Sequence, residues 1–146
     1  MSNISLIYDG LVSLIETTLP TYTRLPDGYG VGGNNDINLN QGFSVGFGTG
    51  ENTKRLVCGN ISIARSFNVS FTKLRAFTDE NAIGRATEEK ALMDDAFAVY
   101  DALRDTDYLG GVQVSNLAYD SDGGIEFSED NQHLIINSVI TAEYFE

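Results

Sequence analysis

Residues 60–76 read NISIARSFNVSFTKLRA, and their alternation constrains the fold more than any other stretch. Ile61, Ile63, Phe67, Val69 and Phe71 take odd positions; Asn60, Ser62, Ala64, Ser66, Asn68, Ser70 and Thr72 fill the even ones. Side chains of a β-strand point to opposite faces in turn, so this pattern gives one buried and one wet face. On a helix the same residues would scatter around the cylinder. The β-branched and aromatic content agrees with strand. The phase slips at Leu74 and Ala76, which predicts a bulge or strand end near Lys73. At about 3.3 Å per residue, residues 60–72 span about 43 Å. A compact chain of this length has a radius of gyration of about 15 Å, so the strand crosses the molecule or overhangs it.

The flanking segments take their places around that strand. Ile4, Ile7, Leu11, Leu14 and Ile15 recur at helical spacing over residues 3–19, with Ser2 or Asn3 as N-cap and Pro20 as the stop. Residues 21–25 suit a short edge strand. Residues 26–42, PDGYGVGGNNDINLNQG, have little to bury and read as a long loop or arm ordered against a partner. Phe43, Val45 and Phe47 share one face of a short strand, residues 48–54 form its turn, and the next strand begins near Leu56 or Val57. Residues 78–86 read as a polar crossover.

The second half of the chain repeats the mixture. A helix is expected over residues 87–104, with Thr87 as N-cap and Glu88 and Glu89 favoured in its first turn. Its apolar stripe is Leu92, Met93, Ala96, Phe97, Tyr100 and Leu103, with Val99 on the margin, and Gly110-Gly111 closes the segment. A strand over 112–119, a turn at 120–124 and a return over 125–127 follow. Residues 133–145 form a last strand, apolar on both faces at Leu134, Ile135, Ile136, Val139 and Ile140, which places it centrally with a helix or partner against each face. Helix, strands, helix, strands is the order of an α+β domain, with a mixed, mainly antiparallel twisted sheet. The whole of 1–146 is expected to be one domain.

Charge narrows the function. The formal net charge is −12, which argues against a conventional duplex-DNA binder. The charges are also segregated: residues 94–146 carry 12 acids and one base, whereas residues 54–90 carry seven bases and four acids. Lys54, Arg55, Arg65, Lys73 and Arg75 fall in a stretch without acids, while Asp120, Asp122 and Glu126 belong to the acidic end. These eight residues are the candidates for a contact between one molecule's basic strand and another's acidic end; the alternative is that the two regions neighbour each other within one sheet. No apolar run approaches a membrane span, no signal peptide is expected, and Cys58 has no internal disulfide partner.

Ligand and catalytic motifs fail on context. Gly28, Gly30 and Gly33 satisfy G-x-G-x-x-G but run into Asn34-Asn35-Asp36, not a helix N-terminus. In 48–54, Thr53 replaces the glycine a phosphate loop needs before Lys54, and Arg55 stands where a hydroxyl would ligate magnesium. Asp120-x-Asp122 begins like a calcium loop, but Ile125 and Asn131 occupy its glycine and bidentate-acid positions. His133 is the sole histidine and Cys58 the sole cysteine, so neither a metal site nor a nucleophile–histidine arrangement is indicated. No enzymatic activity and no cofactor are expected; the product of this sequence is a surface.

The ordering of elements, together with residues 67–74 (FNVSFTKL) and 117–146 (LAYDSDGGIEFSEDNQHLIINSVITAEYFE), resembles the tail terminator (tail completion) proteins of long-tailed bacteriophages. The resemblance implies a homo-hexameric ring that stacks on the last ring of tail tube protein, ends its polymerisation and presents its other face to the head connector protein. It implies a virion location at the tail–head junction, after assembly in the host cytoplasm. Genomic DNA would pass through an acidic channel without specific binding, and no membrane is involved. The alternative reading is another neck or head-completion (connector) component of the same virion.

Overall fold

The computed structural model describes residues 2–25, 41–55, 61–74, 82–127 and 133–146, with side chains except at 49–55, 82, 83, 116 and 121–124. Its elements, in chain order, are α1 (Asn3–Thr18), β1 (Thr23–Arg24), β2 (Gln41–Arg55), β3 (Ile61–Leu74), α2 (Ala82–Arg104), β4 (Tyr108–Leu109), β5 (Val112–Phe127) and β6 (His133–Phe145). The strands form one sheet in the order β1-β2-β3-β6-β5-β4. Only β1 and β2 run parallel; every other pair is antiparallel. The fold is α+β, as the patterning predicts.

The sheet is built on β3 and β6, which pair without interruption from Ser62↔Phe145 to Leu74↔His133. No bulge interrupts this ladder at Lys73, and residues 75–81 lie outside the described residues. Register carries Phe67, Val69 and Phe71 onto the same face as Ile136 and Ile140, and both helices pack there: Tyr8 stacks on Phe47, Tyr22 meets Phe71 edge-on, and Tyr100 stacks on Tyr119. Phe43, Phe67 and Phe71 are fully enclosed. Each such ring contributes about 1.5–3 kcal/mol by leaving water. The strand also outruns the core. From Phe67 to Phe71 its odd positions are buried, but Ile61 is exposed and Ile63 and Arg65 are half-buried.

The opposite face of β3 and β6 is polar. Ser70 Oγ donates to Asn137 Oδ1 at 2.6 Å, and the Ser66 and Thr141 hydroxyls lie 3.2 Å apart. The helices cover one face of β6 only, so the apolar residues Ile135 and Val139 remain half-buried on the other.

Several local expectations are corrected. Residues 48–54 are not a turn: β2 continues to Arg55, which pairs with Ile61, and four steps from Phe47 to Glu51 answer two from Phe67 to Arg65. Two extra residues loop out while the ladder resumes, so the glycine-rich stretch is absorbed as a bulge. Leu56 and Val57, where the next strand is expected to begin, lie outside the described residues, and β3 is described from Ile61. Residues 120–124 are likewise not a hairpin turn. β5 pairs with β6 on both sides of them, with Ser121↔Ser138 and Ile125↔Ile136 bracketing a second two-residue bulge. Hairpin chemistry needs a free partner strand, and here β6 holds both flanks in one ladder.

The helices differ less. Ser2 caps α1 by accepting from the Ser5 N–H, and Leu19, which leaves the helical conformation before Pro20, ends it. α2 starts at Ala82, so Thr87 lies in its second turn and is not the cap. Leu92, Ala96, Val99, Tyr100 and Leu103 are buried, whereas Met93 is 52% and Phe97 56% exposed. The buried stripe runs through Val99, and Met93 and Phe97 lie beside it, exposed. Gly110 and Gly111, at φ 60° and 81°, form the tight turn between β4 and β5. The arm at 26–42 falls outside the described residues apart from Gln41 and Gly42, which open β2.

Candidate assembly surface

The two edges of the sheet carry unlike aromatic clusters, both on the helix side. At the β2 edge, Phe47 is half exposed and leans on the enclosed Phe67 with ring centroids 5.8 Å apart. Tyr8 of α1 stacks on its other side at 5.1 Å and fixes its own hydroxyl by donating to the Val45 carbonyl at 2.8 Å. Two guanidinium groups cover this pair. Arg65 lies 5.7 Å over the Phe47 ring, and Arg24 lies 5.6 Å over Tyr8 while donating to its hydroxyl at 2.9 Å. Cation–π attraction helps to order both arginines over the aromatic pair.

At the β5 edge, α2 and β5 enclose a groove of about 300 Å³. Phe97 and Tyr119 are exposed at its mouth, and Tyr119 stacks on Tyr100 at 4.1 Å with an 11° interplanar angle. Burial pushes the Tyr100 hydroxyl pKa up, against a smaller lowering by Ser138. Ser138 gives its own proton to the Val69 carbonyl at 3.1 Å, and Tyr100 closes no hydrogen bond of good geometry. The rim is acidic: Asp101 and Asp107 line the groove, and Arg104 beside them is ion-paired with Asp101 at 2.7 Å. Between the clusters, Tyr22, the residue before β1, reaches α2 by donating to Asp95 Oδ2 at 2.7 Å. Burial first, then the hydrogen bond and charge of Asp95, raise the Tyr22 pKa far above its usual value.

The eight charged candidates are dispersed. Lys73 points to the helix side and pairs with Glu88 of α2 at 3.3 Å, so this cation is engaged within its own molecule. Arg65 belongs to the Phe47 cluster. Lys54 and Arg55 end β2 opposite Ser62 and Ile61; their side chains, and Arg75 altogether, lie outside the described residues. Asp120 and Glu126 are exposed on β5 opposite Val139 and Ile135, on the polar face, and the Asp122 side chain is outside the described residues. Arg24, Tyr8, Phe47, Phe97 and Tyr119 were not among the candidates. A signal existed in α2: a stripe holding Leu92, Met93, Ala96 and Phe97 together is wider than a single sheet covers.

No protein-family model and no curated protein sequence matches the chain. Among solved structures, a chain of the "Virion of native gene transfer agent (GTA) particle" superposes with a TM-score of 0.52 at 18% identity. The match covers 99% of this chain and 96% of that one. At that identity the likeness establishes a shared fold. Among the described residues no three His, Cys, Asp or Glu side chains gather as a metal site, and no helix is long and apolar enough to cross a membrane.

Proposed function

We propose that this protein is a structural component of a phage-type virion, without enzymatic activity or cofactor, that caps the tail tube. As a ring of like copies it would end tube polymerisation and form the surface to which the head connector joins. The observation that carries the reading is the end-to-end match to a chain of a gene transfer agent virion, with neither chain leaving a substantial part unmatched. The surface chemistry supports it. Unlike aromatic clusters at the two sides of one sheet suit head-to-tail contact between copies, and a heterologous contact that closes by rotation makes a ring. Six copies is the number implied by the tail terminator resemblance. The acidic excess suits a channel through which DNA slides without adhering.

The test is negative-stain imaging of particles assembled without the protein. Overlong tails lacking heads are expected. Normal-length tails with detached heads would instead favour the neck or head-completion reading, and pull-down against tube protein and connector protein separates the two directly. Intact particles of normal morphology would overturn both.

A further inference from the structure

We draw no further inference here: the strongest candidate, the groove of about 300 Å³ between α2 and β5 with Phe97 and Tyr119 exposed at its mouth, carries none, because nothing in the structure shows what occupies it.

Discussion

Gly10 in the middle of α1 lies against Gly110 of the β4–β5 turn so closely that a Cβ on Gly10 would stand 2.1 Å from the Gly110 nitrogen. The reverse holds: a Cβ on Gly110, already at φ +60°, would meet the Leu6 carbonyl oxygen. This contact anchors the first helix to the far edge of the sheet, beside the acidic groove.

Gly10→Ala therefore inverts the usual rule for helices. Alanine is better than glycine in a helix interior by about 1 kcal/mol. Here the added methyl has only backbone to displace, and overpacking of that kind costs about 1–3 kcal/mol. Urea unfolding should show a lower midpoint at unchanged slope. A raised midpoint would mean that α1 stands off the turn.

Alkaline stability should depend on Tyr22. Its pKa is raised in the folded state above the ordinary value of 10.0, so the folded state holds this proton more tightly than the unfolded one. The stability it contributes is fully present below about pH 10 and is lost as pH rises beyond it. Tyr22→Phe should lower stability at pH 8, through loss of the hydrogen bond to Asp95, and flatten the decline above pH 10. Thermal melts of both chains from pH 8 to 11.5 measure this, and parallel curves would count against it.

Two phenylalanines should separate packing from assembly. Phe71 is enclosed and Phe97 is 56% exposed. Phe71→Ala should cost about 3–5 kcal/mol, whereas Phe97→Ala should change monomer stability by no more than about 0.5 kcal/mol. Equal losses in chemical denaturation would show that Phe97 belongs to the core.

The Lys73–Glu88 pair links β3 to α2 with side chains 18% and 23% exposed. A double-mutant cycle with Lys73→Ala and Glu88→Ala should give a coupling of about 0.5–1 kcal/mol that shrinks in high salt. Zero coupling at low salt would return Lys73 to the intermolecular candidates.

What was legible in the chain was whatever depends on period and local chemistry. Phe67, Val69 and Phe71 announce their face, and Ser2 and Pro20 bracket α1 because capping and proline geometry act within a few residues. The last strand was bounded correctly by its flanking polar residues. The bulges were misread as turns because Gly48 and the 120–124 stretch have turn chemistry in either setting. Only a neighbouring strand that holds both flanks decides between them.

The candidate surface shows the same division. Sequence alone determined that basic and acidic residues are segregated and that an amphipathic strand organises the sheet. Tertiary structure alone decided that Lys73 is satisfied by Glu88, that Arg24 joins Arg65 over an aromatic pair, and that Phe97 faces outward beside Tyr119. The reason is distance along the chain. Arg24, Tyr8, Phe47 and Arg65 meet only because β1, β2, β3 and α1 stack side by side, and that adjacency is a property of the packed sheet, not of any local pattern.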